Sequence, residues 1–128
     1  MNMNMWGVAP TLVTDEEFCL AMVGITDFPP FSPRYFLPSG EPGCLIGAAC
    51  KRLGVWGLAE GKSARSQAAL QGLSKEVLNA ANAAQRMQDR GYTWGECLDN
   101  FRTLTPKAQK RLKHKRQEQE QKKLVLAA

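Results

Sequence analysis

The chain has 128 residues, 44% of them hydrophobic and 23% charged, and its 17 Lys and Arg against 12 Asp and Glu leave a net charge of +5. That is one domain's length with enough apolar side chain to fold without a disulfide or metal staple, and the mixed composition excludes disorder along most of the chain. The charge is unevenly placed: residues 102–123 hold nine basic side chains and two acids, a net +7, while the remaining eight basic and ten acidic residues sum to −2.

The first six residues, Met1-Asn2-Met3-Asn4-Met5-Trp6, have neither a positive n-region nor a long apolar run, so a secretory signal is not expected there. No stretch reaches the roughly 18 apolar residues of a membrane span. A cytoplasmic location is the expectation, and with it four reduced cysteines, Cys19, Cys44, Cys50 and Cys97. They are separated by 24, 5 and 46 residues, with no short knuckle that presents two thiolates to one ion, and the single histidine, His114, lies in the polar tail. No metal site is expected; each cysteine reads as a small buried apolar residue.

Thr14-Asp15-Glu16-Glu17 is a capping box that starts a short helix to Val23, burying Phe18, Cys19 and Met22 and ending at Gly24. Residues 25–43 read as an ordered loop. Pro29, Pro30, Pro33, Pro38 and Pro42 forbid a continuous helix, and Phe28, Phe31, Tyr35 and Phe36 are rings that should wrap over the core. A short extended stretch is predicted at Arg34–Leu37, before the Ser39-Gly40 turn. Gly43–Leu53 is the next helix, with Leu45, Ala49 and Leu53 on one face and Gly54 at its end. Its small residues Gly47, Ala48 and Ala49 leave room for a close neighbour.

Lys62–Gln71 reads as a weak helix stopped at Gly72. Ser74 caps a clearer helix to Arg90, with Val77, Ala80, Ala81, Ala84 and Met87 on one stripe and Gly91 as its stop. Thr93-Trp94-Gly95-Glu96 is a second capping box; the helix it starts carries Trp94, Cys97, Leu98, Phe101 and Leu104, the best amphipathic pattern in the chain. Thr105-Pro106, a cap followed by proline at N1, restarts a helix. Beyond it only Ala108 and Leu112 are apolar before Leu124. Lys113–Lys123 therefore has no face for a core, and pairs such as Glu118–Lys122 would support it as a solvated helix. The expected architecture is all-α: a compact bundle of four to five short helices in a domain over 1–104, including the aromatic–proline loop 25–43, and a protruding basic C-terminal helix or tail over 105–128.

Catalytic patterns fail on spacing. Gly61-Lys62-Ser63 resembles the end of a phosphate-binding loop, but the required first glycine is replaced by Trp56 and no apolar strand precedes it. His114 in the tail rules against a Cys–His or Ser–His dyad. Asp89, Glu96 and Asp99 flank the Gly91 turn, where capping and turn roles account for them. No enzyme activity and no cofactor are expected. Two surfaces stand out instead. In the loop, Phe28, Phe31, Arg34, Tyr35 and Phe36 form an anchor for a protein partner if exposed. In the basic segment, Arg102, Lys107, Lys110, Arg111, Lys113, Lys115 and Arg116 are placed to meet nucleic acid or an acidic partner.

Two segments carry a resemblance: Arg34-Tyr35-Phe36 with Gly40-Glu41-Pro42-Gly43-Cys44-Leu45-Ile46-Gly47, and Gln85 with Gln88-Asp89-Arg90-Gly91-Tyr92-Thr93-Trp94-Gly95-Glu96. Together they resemble small uncharacterised proteins of actinobacteria and their phages, in which a G-x-P-x-C-[LI]-[IV]-G helix start precedes a Q-D-x-G-x-[ST]-W-G-E junction. The resemblance covers residues 30–104 and leaves the basic tail outside. It implies a phage or prophage accessory gene and no particular activity. The first expectation is thus a small non-enzymatic accessory protein in the cytoplasm of a bacterial host, binding a host macromolecule, foremost a host protein, as inhibitor or modulator. The alternative is nucleic-acid binding through residues 102–123. Neither a membrane nor a small-molecule cofactor is expected as a partner.

Overall fold

In the computed structural model, which describes residues 12–25, 31–55 and 57–127, the chain folds as an all-α bundle of five helices. They are α1 (Asp15–Val23), α2 (Leu45–Leu53), α3 (Lys75–Asp89), α4 (Trp94–Thr103) and α5 (Pro106–Ala127). Two 3₁₀ turns, Ala64–Ser66 and Ala68–Leu70, lie between α2 and α3. No described helix is long and apolar enough to cross a membrane.

Local chemistry starts the helices where the sequence places them. Thr14 Oγ1 accepts the Glu17 N–H at 3.2 Å while Glu17 Oε1 accepts the Thr14 N–H at 3.1 Å. Thr93 and Glu96 repeat the exchange at 3.1 and 3.0 Å. The backbone bond from each threonine, then its side chain, holds the Glu17 and Glu96 carboxyls below the usual carboxylate range. At the other ends, Gly54 and Gly91 take φ values of +72° and +96°, a region glycine enters without a Cβ penalty.

The core sits where α1 packs on α2, α3 on α4, and the first turns of α5 on α1. Phe18 of α1 meets Phe101 of α4 edge-on, with ring centroids 5.9 Å apart and planes at 61°. Met22, Leu45, Ile46, Leu70 and Val77 are fully buried in the same core cluster. Leu104, expected on the same stripe, is instead 44% exposed. The chain turns at that residue, and the buried stripe passes to Thr105, Ala108 and Leu112 of the next helix. The core therefore extends into α5 as far as Leu112.

Thr105 also differs from its expected role. Its hydroxyl donates back to the Phe101 carbonyl at 2.8 Å, satisfying the end of α4, and forward it accepts only the Gln109 side-chain amide at 3.2 Å, not a backbone N–H of α5. The Ala108 N–H, one of the orphan donors at the start of α5, is accepted at 3.3 Å by Glu76 Oε2 of α3. Pro106 stands at the first helical position as expected.

Residues 31–44 lie against α2 through backbone contacts. The Gly43 N–H donates to the Tyr35 carbonyl at 3.0 Å, the Ser32 N–H to the Gly43 carbonyl at 2.7 Å, and Phe36 and Pro42 form one antiparallel bridge. The expected extended stretch is thus a single bridge. Because Gly43 is engaged in this pairing, α2 begins at Leu45, two residues later than expected. The Leu45 N–H is accepted at 2.9 Å by Gln88 Oε1 of α3. The small face of α2 is filled by the loop backbone: a Cβ on Gly47 would stand 1.9 Å from the Tyr35 carbonyl oxygen.

The helix expected over 62–71 is absent. Gln67, 2% exposed, accepts the Ala59 N–H at 2.7 Å and donates to the Ala59 and Lys62 carbonyls at 2.9 and 3.2 Å. Tied to the preceding loop in this way, its backbone is extended (φ −76°, ψ 126°) and divides the segment into two 3₁₀ turns. Three further side chains staple the same loops. Glu60 accepts the Tyr35 and Phe36 N–H groups at 2.8 and 3.0 Å, Gln85 of α3 accepts the Ala64 N–H at 2.8 Å, and the Tyr35 hydroxyl donates to the Lys62 carbonyl.

Candidate nucleic-acid interface

α5 has 22 residues and, at 1.5 Å per residue, reaches about 33 Å. Ala108 and Leu112 dock it, and every side chain from Lys113 to Leu126 is exposed. The docking has an ionic component. Arg111 Nη2 lies 3.1 Å from Asp15 Oδ2, and Arg111 Nε lies 3.2 Å from Glu16 Oε1. Both acids stand in the first turn of α1, where they also complement the helix dipole. Asp15 Oδ1 in turn accepts the Ser74 N–H at 2.8 Å, so one carboxylate joins the starts of α1 and α3 to the side of α5.

This arrangement sorts the seven basic residues singled out in the sequence. Arg111 is engaged with α1, and Arg102 pairs with Asp99 one turn earlier in α4. Lys107, Lys110, Lys113, Lys115 and Arg116 are exposed and have no ion-pair partner among the described residues. Glu118, expected to pair with Lys122, instead lies with its Oε1 3.4 Å from His114 Nε2. At about 100° per residue, Lys113 and Lys115 fall on nearly opposite sides of the helix, with Lys110 and Arg116 on others. The free cations surround α5. A flat anionic surface is met by a one-sided amphipathic helix. Cations on all sides suit a groove with phosphates along both walls.

The aromatic loop is divided. Phe28 lies outside the described residues. Tyr35 is 3% exposed, its hydroxyl held between the Lys62 carbonyl and the Gln85 amide, so it is part of the core and cannot serve as a docking ring. Phe36 is partly buried against the core. Of the loop's candidate residues that are described, Phe31, at 38% exposed, and Arg34 are exposed.

All four cysteines are buried and free, on three helices and at the start of α2. Burial pushes Cys19 and Cys50 up to about 12 and Cys44 and Cys97 up to about 11, against 9.0 for an ordinary thiol, so none is an activated nucleophile at neutral pH. The shift predicts an alkaline instability. Above pH 9 the unfolded chain loses thiol protons that the folded chain keeps, so folding stability is intact below that pH and falls as the pH rises toward 11–12. The urea midpoint at pH 10.5 is expected below that at pH 8, with the difference reduced in a Cys19→Ala/Cys50→Ala variant. No group of three or more His, Cys, Asp or Glu side chains among the described residues is placed to share a metal ion.

Residue patterns missed Gln67, Glu60 and Glu76, and gave Gln85 and Gln88 a place in the second motif but no partner. Each acts across the fold on a backbone group of another segment, and no local periodicity marks such a residue. No family model matches the chain, and searches of the curated proteins and the solved structures find no match either.

Proposed function

We propose that the protein is a small non-enzymatic binding protein whose target is duplex nucleic acid, gripped at its phosphates by α5. The observation that carries the reading is the set of exposed cations on α5, Lys107 and Lys110 on the outer side of its docked turns and Lys113, Lys115 and Arg116 on its exposed arm, all left without an ion-pair partner by the described residues. A duplex groove of about 12 Å admits one α-helix and presents phosphates to both of its sides. The protein-partner reading loses its main anchor with Tyr35 in the core and Phe36 half covered. One observation keeps it as the second reading: Leu124, Val125 and Leu126, 72%, 71% and 86% exposed, form an apolar end to the same helix. An accessory role of phage type rests on the two sequence motifs alone.

Replacing Lys107, Lys110, Lys113, Lys115 and Arg116 together by glutamine keeps helix propensity and removes the charge. With a fluorescent 20-base-pair duplex at 50 mM salt, this variant is expected to bind at least about 100-fold more weakly than the parent chain, while its thermal unfolding is unchanged. Equal affinity of the two proteins refutes the reading. Binding of neither, with a cellular protein retained through Leu124–Leu126, transfers it to the protein partner.

A further inference from the structure

The residues outside 102–123 sum to −2, yet one side of α3 is basic. Lys75, Asn79, Asn82, Arg86 and the C-cap Arg90 are spaced by four, three, four and four residues, which at about 100° per residue keeps them within an arc of about 80°. Asn82 is buried, and the other four are exposed. Arg65, from the first 3₁₀ turn, joins the row: its Nη2 donates to Asn79 Oδ1 at 2.9 Å. Lys75, Arg65 and Arg86 have no ion-pair partner among the described residues. Asp89 and Arg90, neighbours at the end of the row, cancel in charge.

The row begins at α5. Lys75 stands between Ser74, whose N–H is accepted by Asp15 Oδ1 at 2.8 Å, and Glu76, whose Oε2 accepts the Ala108 N–H at 3.3 Å. Asp15 is the carboxylate that also holds Arg111, and Ala108 directly follows Lys107. The start of α3 is thus fastened to the docked turns of α5 on both sides of Lys75, and the cations of the two helices meet there. Glu76, the acid beside Lys75, is occupied with the start of α5. From Lys75 to Arg86 the helix rises about 16 Å, the length of about five nucleotides of one strand at 3.4 Å each.

We propose that this side of α3 is a second phosphate-binding surface for the duplex held by α5, with Lys75, Arg65 and Arg86 each meeting a backbone phosphate. The inference rests on the α5 reading. A duplex seated on Lys107 and Lys110 extends past the junction of the two helices and carries one negative charge per about 1.7 Å of its axis, so an acidic body would repel it. The row on α3 presents cations at that junction instead. Arg65 and Arg86 bring planar forks that match phosphate oxygens, and the bond to Asn79 orders Arg65 before any duplex arrives. Contacts to phosphates alone add affinity and orientation without sequence preference.

Binding of the fluorescent 20-base-pair duplex by Lys75→Gln/Arg65→Gln/Arg86→Gln between 50 and 200 mM salt tests the assignment. Loss of three phosphate contacts should make the slope of log K against log salt shallower by about 2.7 and lower the affinity at 100 mM salt at least tenfold. Thermal unfolding is expected to be unchanged, since all three positions are exposed. Lys51→Gln/Arg52→Gln is the control. It removes two charges at the end of α2, where Arg52 lies beside Gly24 at the far end of α1, and is expected to keep the parent slope. A triple variant with the parent slope and affinity overturns the proposal, and a five-site variant that is still weakened then leaves the α5 reading standing without it. An equal loss per charge in the control also overturns it, because the effect would be one of net charge. A parent chain that binds no duplex removes both readings. If the triple variant unfolds at a lower temperature, Lys75→Gln alone decides, with a change in slope of about 0.9 expected and none contradicting the assignment.

Discussion

Phe101→Ala is expected to lower the stability of the fold by about 3–5 kcal/mol. Phe101 is fully buried and meets Phe18 at 5.9 Å in an edge-to-face pair, a contact that adds about 0.5–1.5 kcal/mol to simple burial. The ring lies at the join of α1, α4 and the start of α5, and the Thr105 hydroxyl is bonded to its carbonyl. The cavity would thus open between three helices whose separate caps remain intact, which limits collapse around it. Against a total of about 5–15 kcal/mol for an ordinary domain, the loss approaches half. Urea unfolding followed by far-UV circular dichroism should show a lower midpoint at unchanged slope. A shift under 1 kcal/mol contradicts a core centred on this ring pair.

Gly47→Ala is expected to cost about 3 kcal/mol, the upper end of the range for overpacking by one methyl group. The added carbon would stand 1.9 Å from the Tyr35 carbonyl oxygen, so α2 and the loop must separate. Separation is resisted on every side of Tyr35. Its N–H is bonded to Glu60 at 2.8 Å, its carbonyl accepts the Gly43 N–H at 3.0 Å, and its hydroxyl is held by Gln85 at 2.6 Å. Gly54→Ala is the control: a Cβ there meets nothing within 4 Å, and only the φ of +72° is strained, at about 1–2 kcal/mol. Thermal unfolding of the two variants should rank Gly47→Ala clearly below Gly54→Ala. The reverse order would mean that the loop gives way and does not clamp α2.

The parts of this fold legible in the residues are those decided within one helical turn. Thr14 with Glu17, Ser74, and Thr93 with Glu96 mark helix starts because the cap and its partner are three residues apart, and glycines mark the ends. The exposure of α5 was equally legible, since apolar periodicity stops at Leu112. What stayed hidden was decided between elements. Gln67 breaks a helix through bonds to Ala59 and Lys62, Glu76 caps α5 from 32 residues away, and Thr105 takes the core position that the stripe assigned to Leu104. The candidate surfaces divided on the same line. The free cations of α5 follow from composition, whereas the withdrawal of Tyr35 into the core depends on Gln85, 50 residues downstream.

The salt dependence of duplex binding by the full chain tests the central claim most directly. Five phosphates met by Lys107, Lys110, Lys113, Lys115 and Arg116 contribute about −4.5 to the slope of log K against log salt, a loss of about 500-fold between 50 and 200 mM. In the five-site glutamine variant the slope is expected to become shallower by about that amount, with only Lys122 and Lys123 left exposed on the same arm. A parent chain whose binding is flat with salt, or absent at 50 mM, would contradict the assignment of α5 to nucleic acid.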